Sequence, residues 1–379
     1  MGRGIPGILG SFSGYDRLLK WVDKEVIDAV DSDMEKSGLG QSGPGQSGLG
    51  QNGPGQSGPG QSGPGQNGPG QSGRARGVFS ALSAGCFWGS VGVFVRVLTG
   101  FGYSPMTILF VRVSIGFLIL FVMLVVTGRK SLLFIRLKDL WCFIGTGVSS
   151  AILLNLFFSL STLMNSLSLA AILLSTAPVF VVMLSAPIFG ERITSVKIQA
   201  LIICFAGCVL TSGIVDNGAV FSARGVIIGL IAGIGYAMYS IMTRFALNRG
   251  YDSLTVNVYS FGIGALVCIP FTNFALIAAT VSAEPGKMAA FLVLHTLCTS
   301  LFPYMLFTYS MKFMDTGRAA ILVSIEPVAA TVFGIAFYGE VPSAVCVIGI
   351  ILVLFALILL NVPGGLSAIP SAARSLRRR

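Results

Sequence analysis

The chain has 379 residues, of which 54% are hydrophobic and 11% charged, and its formal net charge is +10. Soluble domains carry about 25% charged residues, so most of this chain does not face water and a soluble globular enzyme is excluded. The basic excess is no nucleic-acid footprint either, because the bases punctuate apolar runs instead of gathering on one polar face.

The opening MGRGIPGILGSF lacks the long apolar core of a signal peptide, so the first spanning helix is expected to act as the insertion signal. Residues 15–31 place Tyr15, Leu19, Val22, Val26 and Ala29 on one face of an amphipathic helix. Its acidic surroundings give weak attraction to an anionic membrane, so a protein contact or a partly formed helix fits equally well. Seven pentapeptides of the type SGPGQ follow over 37–71. Glycine and proline deny them helix and strand, and they have nothing to bury, so a disordered, flexible tether is expected. The expected organisation is an N-terminal segment over 1–36, a linker over 37–73, membrane halves over 74–215 and 216–362, and a basic tail over 363–379.

From Val78 the chain reads as ten apolar segments, roughly 78–98, 104–127, 140–162, 167–188, 196–214, 225–246, 254–279, 288–310, 317–338 and 343–362. Each approaches the ~20 residues that span a bilayer as a helix. Alternate connections are basic. The N-terminal flank, the stretches 128–139, 189–197, 244–253 and 311–318, and the tail together hold sixteen Lys and Arg; the other connections hold only Arg224 and Lys287, with Arg96 at a helix end. The basic side is expected to be cytoplasmic, with both termini inside a plasma membrane. All seven cysteines lie in apolar stretches without a C-x-x-C pair, and His295 is the only histidine, so neither a disulfide framework nor a metal site is expected.

The two halves repeat. ARGV at 75–78 recurs at 223–226, and the same shift of 148 lays Gly85 on Gly233, Trp88 on Tyr236 and Arg96 on Arg244. At a shift of 149, residues 158–191 align with 307–340 without a gap, and eleven of the 34 positions are identical. Five helices per half is an odd number, so the halves enter the membrane from opposite sides as an inverted-topology repeat, the pattern of alternating-access carriers.

WGSVGVFVRV (88–97), Arg112, SLAAILLSTAPVFVVMLSAPIFGERIT (168–194) and AAILVSIEPVAATVFGIAFYGE (319–340) resemble the drug/metabolite transporter superfamily, specifically its EamA-type branch, over roughly 76–362. The resemblance implies an all-α, ten-helix secondary carrier of small metabolites, often an exporter, with its cavity near the pseudo-symmetry axis.

Glu326 stands out among the residues. It falls near mid-membrane, where a charged side chain is unfavourable by roughly 2.5–3.5 kcal/mol on insertion scales. Pro327 has no N–H and crowds the carbonyl of Val323, so a free carbonyl is expected beside a carboxyl. A proton or substrate-amine site is the functional reading; a protonated acid bonded to a neighbouring helix is the structural one. The equivalent Ala177-Pro178 keeps the proline without the acid. Arg112, mid-way through the second segment, is expected to meet Glu326 or a substrate carboxylate, or to clamp the bundle. Trp88 and Tyr236 are expected to wall the cavity or to pack as ordinary aromatics, Pro303-Tyr304 to kink the eighth helix, and His295 to be a satisfied buried histidine or a proton relay. The series Gly85, Gly89 and Gly225, Gly229, Gly233 match small-xxx-small packing, within the bundle by default or between copies in a homodimer. Glu191 and Glu340 read as interfacial and structural.

No phosphate-binding loop and no hydrolase or metalloprotease motif occurs, so neither ATP-driven transport nor catalysis is indicated, and no cofactor. The leading function is proton-coupled movement of a small metabolite such as an amino acid. Its partners are that solute and the lipid bilayer, not nucleic acid. A nucleotide-sugar or sugar-phosphate exchanger is the second reading, although a multiply anionic solute calls for several bases in the cavity. A non-transporting scaffold with a recruiting N-terminal arm is the third.

Overall fold

Lipid offers no partner to a free N–H or C=O, so segments this apolar must close their backbone bonds internally, as helices. The computed structural model describes residues 71–165, 167–217 and 222–361; among them there is helix and no strand. The helix expected over 15–31, the pentapeptide tether and the basic tail lie outside the described residues. Among the described residues, nine helices are long and apolar enough to span a bilayer: α1 (Gly73–Gly100), α2 (Pro105–Val126), α3 (Leu137–Met164), α4 (Leu169–Phe189), α6 (Ala223–Asn248), α7 (Ser253–Phe271), α8 (Pro285–Ser310), α9 (Thr316–Tyr338) and α10 (Ala344–Asn361). The shorter α5 (Ser195–Thr211) completes five helices in each half.

Sequence explains most boundaries. Side chains of Ser104, Thr194, Ser222 and Asp252 accept from backbone N–H groups in the first turns of α2, α5, α6 and α7. Gly190 and Gly339 end α4 and α9 at φ 67° and 66°, left-handed geometry that favours glycine. The apolar segment expected over 254–279 is divided. Pro270 and the Asn273 cap end α7 and start a separate short helix, Phe274–Ala283.

The halves pack as a pseudo-twofold pair. Helix α1 lies against α8 and α9, and α6 against α3 and α4; α5 pairs with α10 and α2 with α7. Irregularities repeat too. A π-helical stretch interrupts α3 at Ser149–Leu156 and α8 at Leu297–Leu301. In α8 the cause is readable, since Pro303 cannot donate to the preceding turn; in α3, Asn155 Nδ2 donates to the Ser150 carbonyl (2.6 Å) and takes up part of the slack. Helix α4 breaks at Ser175–Thr176 and α9 at Ser324–Ile325, each just before its proline.

Glycines let α1 and α6 press onto those breaks. A Cβ on Gly85 would stand 2.6 Å from the Val323 carbonyl, and one on Gly89 would meet Ala329 and the Glu326 carbonyl at 2.6 and 2.8 Å. In the other half, Gly229 and Gly233 face Leu173, Ser161 and Thr176 in the same way. These four glycine faces are filled within the chain, leaving none of them for a second copy. Outward, Leu118, Val122, Ile202, Ile227, Leu266, Ile351 and Ile358 are exposed and form a lipid-facing surface.

Overpacking a tight site destabilises by about 1–3 kcal/mol. Gly85→Val is therefore expected to lower the melting temperature in detergent by several degrees. Gly92→Ala, whose Cβ meets nothing within 4 Å, is expected to leave it unchanged or slightly raised.

Candidate functional site

A cavity of about 850 Å³ lies between the halves, within the range of small-molecule sites. Its floor is the pair of helix breaks. Ser175 and Pro178 come from α4, Ser324, Glu326 and Pro327 from α9, and Tyr236 from α6. Its mouth lies at the end of the bundle carrying Arg96, Gly213, Tyr338 and Glu340.

Glu326 is the first residue of the restarted half of α9. It is partly buried, and its carboxyl makes no hydrogen bond or ion pair with any described residue. Proline follows because the second position of a helix has no acceptor for its N–H. The break directs the two polar side chains flanking it into the cavity: Ser324, whose Oγ also donates to the Ala320 carbonyl (3.4 Å), and Glu326 itself. Thr331, one turn on, lines the same wall and donates to the Pro327 carbonyl (2.9 Å). Tyr236 contributes a buried hydroxyl with no hydrogen-bond partner among the described residues.

The other expected site residues stand behind this wall. Trp88 packs edge-on to Tyr304 (centroids 5.2 Å) and Tyr236 (6.4 Å), and Tyr304 shares a hydrogen bond with Ser150 (3.2 Å). Trp88 and Tyr304 brace the floor without lining it, and Tyr236 joins them to the lining. Arg112 does not reach Glu326 within hydrogen-bond distance. Its Nη2 donates to Asn155 Oδ1 (2.9 Å) in the π stretch of α3, in a buried pocket away from the cavity lining. His295 is fully buried against Phe94, with Nδ1 near the Thr299 hydroxyl (3.2 Å). The structure thus brings together Glu326, Pro327, Pro178 and Tyr236, and keeps Arg112 and His295 apart from them.

Sequence reasoning passed over Ser175, Ser324 and Thr331, although S-T-A-P and S-I-E-P announce a hydroxyl just before each break. It also passed over Asn155, for which a lone amide in an apolar segment was the available signal. Among the described residues no group of three or more potential metal ligands occurs.

The EamA-like transporter family matches residues 75–213 and again 223–362, one copy for each half. The chain belongs to the EamA-like transporter family. It is 27% identical over 196 residues to the "Uncharacterized transporter YxxF" of Bacillus subtilis, covering 50% of this chain and 60% of that protein. It is 30% identical over 207 residues to an "Uncharacterized transporter" of Archaeoglobus fulgidus, covering 53% of this chain and 69% of that one. A "Probable terminal-alkyne amino-acid exporter" of Streptantibioticus cattleyicolor is 24% identical over 192 residues, covering 51% of this chain and 63% of the relative. The chain therefore spans somewhat under two thirds of YxxF and of the exporter. A crystal structure shares the fold at TM-score 0.61 and 18% identity, covering 75% of this chain and 96% of its own. This EamA protein is accordingly an integral membrane protein of a transporter family, built from two copies of one five-helix unit.

A buried charge that loses its partner destabilises by about 3–5 kcal/mol, whereas replacing the charge with an apolar side chain of similar size is often nearly neutral. Asn155→Leu is expected to lower thermal stability more than Arg112→Met, and the double variant is expected to recover most of the loss. Thermal unfolding of the purified protein in detergent checks the order.

Proposed function

We propose that the protein is a secondary carrier that moves a small amphipathic metabolite bearing an amine, such as an amino acid, through this cavity by alternating access. The observation that carries the reading is the unpaired Glu326 carboxyl on the floor of a cavity whose other lining, apart from the Arg96–Glu340 pair at its mouth, is apolar or weakly polar. A proton and a substrate ammonium compete for that one group, so entry of one displaces the other and couples the two fluxes. The restarted half of α4 begins at Ala177 beside the cavity, and the N-terminal end of such a half-helix favours a substrate carboxylate. The positive-inside pattern supports cytoplasmic termini in a plasma membrane, with the mouth at Arg96 and Glu340 facing outward. Export is the proposed direction, in keeping with the exporter among the relatives.

A nucleotide-sugar or sugar-phosphate exchanger fits less well. The one basic side chain among the described lining residues, Arg96, is paired with Glu340 at 2.6 Å, and Arg112 is bonded behind the wall. A scaffold would have no use for an unbonded acid on a cavity floor.

Proteoliposomes loaded with radiolabelled amino acids and given a pH gradient test the reading. Wild type is expected to respond to the gradient. In Glu326→Gln the gradient response should vanish and the flux should fall at least about tenfold, as loss of one charge-assisted hydrogen bond implies. Equal, gradient-independent flux in both proteins would contradict coupling at Glu326.

A further inference from the structure

The two ends of the bundle are built from equivalent residues, yet those residues hold different partners. At the end opposite the mouth, the turn between α8 and α9 is gripped from both sides. Glu191, just past the end of α4, accepts from the backbone N–H groups of Thr316 (2.7 Å) and Gly317 (3.2 Å) at the start of α9, and from the Ser185 hydroxyl (2.9 Å). Arg244, near the end of α6, donates to the carbonyls of Met311 and Met314 at the end of α8. The carboxylate thus satisfies free N–H groups and the guanidinium free carbonyls of one turn. Lys197 closes the same end on Asp315 at 2.8 Å.

The repeat maps Glu191 onto Glu340 and Arg244 onto Arg96. It maps the gripped turn onto the turn between α3 and α4: Met311 and Met314 onto Thr162 and Asn165, and Thr316 and Gly317 onto Leu167 and Ser168. Glu340 and Arg96 make no bond to the described residues of that turn. They bond each other at 2.6 Å, with Arg96 lying 4.4 Å over the ring of Tyr338, at the mouth of the cavity. About half of each side chain is exposed, so the pair itself contributes little stability. Cys346 stands where Lys197 stands in the other half, so the mouth has no equivalent of the lysine latch.

We propose that Arg96 and Glu340 are the gate of the mouth. They pair with each other while it is open. When it closes they separate, Glu340 taking the N–H groups at the start of α4 and Arg96 the carbonyls at the end of α3, as Glu191 and Arg244 do at the sealed end. In that exchange Glu191 and Arg244 release α8–α9, and the cavity opens on the other side. The idea rests on the alternating-access reading above and adds the residues that switch partners. Both are positioning residues, and neither sits with Glu326 on the floor.

Exchange of the two charges separates this role from a plain surface ion pair. In Arg96→Glu/Glu340→Arg the open-state pair survives with its ends reversed. The closed-state grip does not, because a carboxylate then faces carbonyls and a guanidinium faces N–H groups. The readout is the labelling gained by Ser175→Cys, in the cavity wall, over its parent chain, with a membrane-impermeant maleimide. It is applied to whole cells for the outer side and to inside-out vesicles for the inner side. In the otherwise wild-type chain the cysteine is expected to label from both sides. With the charges exchanged, outer labelling should persist and inner labelling should fall at least about tenfold, since hydrogen bonds to charged groups are lost only in the closed form. Glu340→Gln should shift labelling the same way and serves if the double variant does not reach the membrane. Unchanged labelling from both sides, or loss on the outer side, overturns the gate. Failure of the otherwise wild-type chain to label from the inner side overturns alternating access itself. No substrate enters the assay, so an error about the solute at Glu326 leaves the result intact.

Discussion

The approach of two glycine-faced helices to two broken ones is the constraint on which the rest of the structure depends. Helix α1 reaches the break in α9 only because Gly85 and Gly89 leave room for the carbonyls of Val323 and Glu326, and α6 reaches the break in α4 through Gly229 and Gly233. In lipid, where apolar side chains gain nothing by leaving solvent, close contact of this kind is a main source of association between helices. It also holds the breaks at the centre of the bundle, where the polar side chains beside Pro178 and Pro327 meet a shared cavity.

From that arrangement the division of labour follows. A carrier of the proposed kind needs a group on its floor that changes partners, and Glu326 is the acid there, unbonded by its described neighbours. The scaffold behind the floor needs groups that do not change, and the edge-on pair of Trp88 and Tyr304 supplies them together with the Arg112–Asn155 bond. The proposed gate needs contacts at the two ends that can be exchanged. Those contacts bind backbone at helix ends, where N–H and C=O groups lack intrahelical partners, so they can be released without unwinding a helix.

Much of this was legible in the sequence. The ten segments, the repeat and the packing glycines all followed from apolar length and from internal alignment, because lipid imposes length and close packing imposes glycine. Apolar length alone predicts one segment over 254–279 and does not reveal its turn; Pro270 and Asn273 are the signals that outweigh it. The site was only partly legible. Glu326 and its proline declared themselves as misfits, but Arg112 and His295 looked like equal misfits, and only three dimensions separate the residue on the cavity from those buried beside it. Glu191 and Glu340 carry the same G-E signature and were read alike. Their partners differ in the structure, and the proposed exchange accounts for the difference: one sequence would encode both arrangements, with one conformation displaying one arrangement at each end.

The central claim is that the two ends exchange these arrangements. Distances between spin labels across each end, measured by double electron–electron resonance in lipid nanodiscs, test it most directly: one sample labelled at the mouth ends of α1 and α4, the other at their opposite ends. The account predicts two distances in each sample with populations of opposite sense, the mouth short where the far end is long, and a shared shift when an amine-bearing substrate is added. A single distance at each end, unmoved by substrate, would contradict it.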